Sequence, residues 1–141
     1  MTPTGGETPT LLDTSAAVPF LVQDHEDHGA VFDALETRTL GLAGHAAFET
    51  HSVLTRLRPP ARRTPASAAV LLEANFPATC FLPDVAARAL LARLARLGVA
   101  GGHVYDALVG AATVEHGLTL ATRDRRALEV YAALGVAVEL V

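Results

Sequence analysis

Short apolar runs recur along the chain, and stretches with helical spacing separate them. Thr10-Leu11-Leu12-Asp13 reads as a buried strand, and Ser15 to about Val22 as a short helix with Pro19 in or near its first turn. His25 to Glu36 places Ala30, Val31, Ala34 and Leu35 on one helical face. Leu40-Gly41-Leu42-Ala43 predicts a second strand. A helix over roughly 46–57 follows, stopped by Arg58-Pro59-Pro60. Thr64 caps a helix that opens on Pro65 and runs to about Asn75. Cys80-Phe81-Leu82 predicts a third strand. Asp84 then caps a long Ala/Leu/Arg helix ending at Gly98. A helix from His103 to His116 stops at Gly117, and Leu118-Thr119-Leu120-Ala121 is a fourth strand. A last helix runs from about Arg125 to Gly135, and Val136 to Leu140 is a fifth strand. Strands alternating with helices imply parallel pairing: an α/β fold, a three-layer α/β/α sandwich with a mainly parallel sheet of four to five strands. Residues 1–8 read as a flexible tail and 9–141 as one domain.

Composition narrows the chemistry. Aromatic residues are 5% of the chain and Trp is absent, so Leu, Val and Ala must fill the core. All 11 basic residues are Arg. Without Lys there is no P-loop and no Schiff-base enzyme. The single Cys80 excludes a disulfide framework and suits a reducing cytosol. With no apparent signal peptide and no apolar run near ~20 residues, a cytoplasmic protein without a membrane span is expected.

Of the 15 acidic residues, four do not read as ordinary surface charges. Asp13 and Asp124 each follow an apolar strand, where parallel α/β folds collect ligands, although either could simply cap the next helix. Glu49 shares a helical stripe with Val53 and Leu57, expected to be the apolar one. Asp106 is the only formal charge from Val104 to Val114, in a helix expected to be largely buried. Four carboxylates ~6 Å apart in an effective dielectric of ~20 would repel by roughly 17 kcal/mol. That exceeds the ~5–15 kcal/mol stability of a typical domain, so such a cluster must take up protons or bind cations. Hard oxygen donors point to Mg²⁺, with Mn²⁺ as a substitute. His45 and His51 flank Glu49 and read as cap and surface residues, as do His28, His103 and His116.

These acids, in this order, resemble the signature of the PIN-domain family. The segments that carry the resemblance are Leu11-Leu12-Asp13-Thr14-Ser15-Ala16, Glu49-Thr50-His51-Ser52-Val53-Leu54, Tyr105-Asp106-Ala107-Leu108 and Leu120-Ala121-Thr122-Arg123-Asp124. The Glu49 segment is especially similar to VapC toxins. The resemblance implies a metal-dependent endoribonuclease in which Asp13, Glu49, Asp106 and Asp124 hold the metal, with Ser15 and Thr122 as small hydroxyl residues beside them. It also implies tRNA or rRNA as substrate, a homodimer, a cognate VapB-type antitoxin, and operator DNA bound only through that antitoxin. An antitoxin Arg could bridge two carboxylates of the cleft. After Asp124 the chain departs from many relatives: Arg125, Arg126 and Leu128 stand where a further acid or aromatic residue is common.

Positive contacts to RNA would come from Arg56, Arg58, Arg62 and Arg63 around the Pro pair, or from Arg123, Arg125 and Arg126 beside Asp124. With few aromatics, recognition through RNA shape and backbone is expected. Two other readings stay open: a PIN nuclease of RNA processing outside a toxin–antitoxin system, and a non-catalytic PIN binding module.

Overall fold

A computed structural model describes residues 7–141. Of the tail expected over residues 1–8, positions 1–6 lie outside the described residues. Four strands form one sheet: β1 Thr10–Leu12, β2 Leu40–Leu42, β3 Thr119–Thr122 and β4 Ala137–Leu140. Their order is β2-β1-β3-β4 and every pair is parallel. Seven α-helices are described: α1 Thr14–Leu21, α2 His28–Leu35, α3 Ala46–Thr55, α4 Pro65–Asn75, α5 Asp84–Leu97, α6 His103–Glu115 and α7 Leu128–Leu134. A 3-10 turn, Arg125–Ala127, leads into α7.

Side chains that alternate along the strands divide the core into two faces. Leu12, Leu40, Leu42 and Ala121 pack with Ala16, Ala17 and Phe20 of α1, Val31 and Leu35 of α2, and Phe76. Leu11 and Leu120 face the other way, onto Val109 of α6 and Ala127 and Tyr131 near and in α7. Helices therefore cover both faces, giving the expected three-layer α/β/α sandwich. Helix α5 joins at the outside through Leu90, which packs with Ala107 and Val130.

The structure corrects several local expectations. Cys80-Phe81-Leu82 is not a strand: only Cys80 makes a bridge, to Ala43. The Leu42 amide donates to the Thr79 hydroxyl, so a side chain takes the place of a ladder partner, and Pro83 bars further pairing. The sheet thus has four strands, the lower of the expected numbers. Pro19 is inside α1 rather than in its first turn, because the helix starts at Thr14 with Asp13 as its cap. Pro83, not Asp84, occupies the N-cap of α5.

Gly41 shows how tightly the 78–80 segment closes the β2 edge. A Cβ there would come within 2.3 Å of the Ala78 carbonyl carbon and 2.7 Å of the Thr79 amide nitrogen. Both are backbone atoms that cannot swing aside. Gly41→Ala is therefore expected to cost about 1–3 kcal/mol in chemical denaturation, the range for overpacking a filled interior. An unchanged denaturation midpoint would show that the segment is loosely held.

Candidate active site

The order β2-β1-β3-β4 makes the chain leave β1 toward one edge and β3 toward the other. The switch point lies between these two central strands, at their carboxyl ends, where open α/β sheets leave a crevice. Asp13 and Asp124 sit there. Asp13 follows β1 directly, and its amide donates to the Ala121 carbonyl of β3. Asp124 caps the 3-10 turn, accepting from the Arg126 amide at 3.0 Å. Each acid is thus both a cap and a member of the crevice. Glu49 enters from the first turn of α3 and Asp106 from the first turn of α6.

Asp13 is 5% exposed and is held by protein donors on both oxygens. Its Oδ1 accepts from Ser15 Oγ at 2.5 Å and from the Ala16 amide at 3.3 Å. Its Oδ2 accepts from Tyr131 Oη at 2.8 Å and from the Thr122 hydroxyl. Burial pushes its carboxyl above the ordinary carboxylate range even against these four hydrogen bonds. Burial also raises the Glu49 carboxyl; the nearby His45 opposes the rise, and the charges of Asp106 and Asp13 add to it.

Tyr131 lies beneath Asp13 and within the field of Asp106 and Asp124. Its hydroxyl touches Asp13, and its ring is 1% exposed against α6. Gly110 makes room for it, since a Cβ there would stand 3.2 Å from the ring. Burial, and then the negative charges of Asp13, Asp106 and Asp124, drive the phenol far above its ordinary range, so it keeps its proton and donates it to Asp13. The sequence reading passed over this residue. The available signal was a Tyr in a helix that, Glu129 apart, is Ala, Leu and Val, because a buried phenol needs a polar partner.

Two expectations about the acids change. Glu49, Val53 and Leu57 are half-buried, and the buried stripe of α3 is Ala46-Thr50-Leu54. Asp106 also lies at a partly open edge of α6, with 26% of its side chain exposed and its Oδ2 3.1 Å from His103 Nδ1. Neither carboxylate is sealed in apolar surroundings. Asp106 and Asp124 share the wall of a hollow of about 450 Å³ with His103 and Arg126. Glu49 lines another of about 330 Å³ with Thr14, His45, Phe48 and Arg56. Among the described residues, no three His, Cys, Asp or Glu side chains are gathered so as to enclose one ion. Burial outranks mutual repulsion in raising Asp13 and Glu49. Oxygen donors of this kind fit a hard divalent ion held by one or two carboxylates with waters completing its shell, the usual form of Mg²⁺ sites.

Not all the arginines face the crevice freely. Arg123 is tied down: it donates to the Val141 carbonyl and lies 3.3 Å from Asp27. Its backbone amide donates to Ser15 Oγ, which extends the Asp13 network. Arg125 and Arg126 are exposed, with Arg126 Nε 3.7 Å from Asp124. Arg56, Arg58, Arg62 and Arg63 are exposed around the turn after α3, where Arg62 donates to the Leu57 carbonyl. No described helix is long and apolar enough to cross a membrane.

The chain is similar to known proteins in sequence and fold. The PIN domain matches residues 10–133. Ribonuclease VapC27 of Mycobacterium tuberculosis is 45% identical over 128 residues, covering 91% of this chain and 93% of that protein. Ribonuclease VapC40 of the same species is 45% identical over 130 residues, covering 92% and 96%. Among solved structures, VapBC2 from Rickettsia felis bound to a promoter DNA fragment superposes with a TM-score of 0.65 at 12% identity, covering 94% of this chain and 98% of that one, which speaks to the fold. The chain belongs to the PIN-domain family.

Proposed function

We propose that the protein is the endoribonuclease toxin of a VapBC-type pair and cuts structured cellular RNA, transfer or ribosomal, with Mg²⁺ or Mn²⁺. The observation that carries this reading is Asp13 and Asp124 at the switch point, with Asp106 sharing a hollow with Asp124 and Glu49 within the field of Asp13 and Asp106, in a chain 45% identical to VapC ribonucleases. When bound, the ion would lower the pKa of a water and neutralise charge on the phosphate. Glu49, Asp106 and Asp124 are the accessible ligands. Asp13 is buried with both oxygens in hydrogen bonds, so it contributes from beneath and is oriented by Ser15, Thr122 and Tyr131. Exposed Arg125 and Arg126 would meet the RNA backbone next to Asp124. The formal charge of −4 does not oppose this, because bound divalent ions offset it. As partners we propose a second copy of the chain and a VapB-type antitoxin, through which operator DNA would be reached, all in the cytoplasm.

The test is growth arrest on expression of this chain alone, relieved by co-expressing the adjacent antitoxin gene, with 5′ ends of cellular RNA mapped during arrest. The purified protein should cut the mapped RNA only with Mg²⁺ or Mn²⁺. Full cleavage in excess EDTA would refute the metal mechanism. Harmless expression in the native host would replace the toxin with a housekeeping nuclease.

A further inference from the structure

The seven Phe and Tyr side chains fall into two groups. Phe20, Phe32, Phe76 and Tyr131 pack in the interior. Phe48, Phe81 and Tyr105 are 65%, 50% and 49% exposed. These three come from separate parts of the chain: α3, the segment before α5, and the first turn of α6. They nonetheless form one row through His45. The His45 imidazole lies on the Tyr105 ring with centroids 4.9 Å apart and planes 18° from parallel. Phe48 continues the row 6.3 Å from His45, and Phe81 lies 5.9 Å beyond Phe48. The His116 imidazole, 2.9 Å from the Phe81 carbonyl, anchors that end. Every Phe or Tyr that the fold leaves strongly exposed is in this row, which is the kind of patch that marks a binding surface.

We propose that the row is a stacking platform for unpaired nucleobases of the RNA substrate, a proposal that rests on the ribonuclease reading above. Its position favours RNA. Phe48 precedes Glu49 and Tyr105 precedes Asp106, so the row borders the acids on two of the helices that supply them. His45, Phe48, Glu49 and Arg56 line a single hollow, where a base could lie on the rings with its phosphate toward the guanidinium. The surroundings disfavour a protein partner, because Asp and Glu are depleted from protein interfaces, and here Glu49 lines the same hollow as His45 and Phe48 while Asp106 follows Tyr105 in the chain. Flat faces with no fixed donor pattern accept any base, so the platform would hold single-stranded or splayed nucleotides with little sequence preference. The expectation that scarce aromatics leave recognition to the RNA backbone thus gives way to a platform built from the few rings the chain exposes.

Stopped-flow fluorescence with a short single-stranded RNA carrying 2-aminopurine tests this in the intact protein, with Mg²⁺ present and cleavage followed on a gel from the same mixtures. Stacking quenches 2-aminopurine. Wild type should quench it, while Phe48→Ala and Tyr105→Ala should each weaken binding by about 5- to 150-fold, the range for losing one stacked base, and diminish the quench. Phe48→Trp should restore both, as a role in folding alone would not require. Both rings are exposed, so circular dichroism should be unaltered. Equal affinity and quench in wild type and both alanine variants would overturn the platform, as would no quench by wild type. Loss of self-association or antitoxin binding with an intact quench would also overturn it and mark a protein interface. Quenching of the short RNA, with no cleavage either of it or of transfer and ribosomal RNA added to the same protein with Mg²⁺, would instead sink the ribonuclease reading and leave a base-stacking platform standing, so the two failures are distinguishable.

Discussion

Glu49→Gln is expected to remove RNA cleavage while leaving the fold intact. Glu49 is half-buried in the first turn of α3, and its carboxyl is shifted by burial and by neighbouring charges, not by any hydrogen bond. A neutral amide of the same shape therefore loses no structural contact. It loses the negative oxygen that a divalent ion or its waters would bind. Mutating a partner one shell away from a metal typically costs about 10–100-fold, so loss of a direct ligand should cost at least that in kcat/KM. The melting temperature should stay level or rise slightly, because a partly buried charge is gone. Initial rates with Mg²⁺ and thermal denaturation of the same preparation check both halves. Cleavage within a few-fold of wild type would remove Glu49 from the site. A sharp fall in melting temperature would make it structural.

What the sequence revealed and what it concealed have physical causes. The strands that build the sheet centre carry adjacent buried apolar residues, Leu11-Leu12 and Leu120-Ala121, as strands covered on both faces do, so β1 and β3 and the acids that follow them are readable. The edge is not. Cys80-Phe81-Leu82 is as apolar as a strand, but Thr79 supplies a side-chain oxygen to β2, and Phe81 turns outward to the aromatic row. Periodicity also misled at α3: its buried positions include Thr50, whose hydroxyl reaches Thr14, while Val53 only flanks the core. Polarity was a poor guide where a polar group was locally satisfied. Tyr131 escaped notice for the opposite reason. Its partner, Asp13, is 118 residues away and lies opposite it only after the sheet has formed.

Asp13→Ala should be the most damaging single change to stability, and Asp13→Asn should be tolerated. Alanine removes the cap of α1, worth about 1 kcal/mol, and strips a partner from the buried hydroxyls of Thr122 and Tyr131, each about 1–3 kcal/mol. The total is on the order of 3–7 kcal/mol. Asparagine can keep an oxygen toward Ser15 and the Ala16 amide, with its NH₂ toward two hydroxyls that can turn to accept. The two proteins should then differ in their response to pH. The folded-state value of Asp13 is raised above the ordinary 3.8, so between these values the native state binds more protons than the unfolded chain. Stability from this group therefore falls as pH rises through that window, and the loss persists at higher pH. The raised Glu49 adds a loss of the same sign, and Glu139, lowered by Arg38, acts oppositely, losing stability as pH falls. Both groups are present in either protein, so they largely cancel in the comparison. With metal chelated, wild type should lose melting temperature relative to Asp13→Asn as pH is raised from about 4 toward neutrality. Adding Mg²⁺ should recover part of that loss, and more in wild type than in Asp13→Asn, which keeps Glu49, Asp106 and Asp124 but lacks the Asp13 charge. A difference that stays flat across this range, or that grows in favour of wild type, would mean that the hydrogen bonds from Ser15, Thr122, Tyr131 and Ala16 outweigh burial and that Asp13 is ionised at no cost.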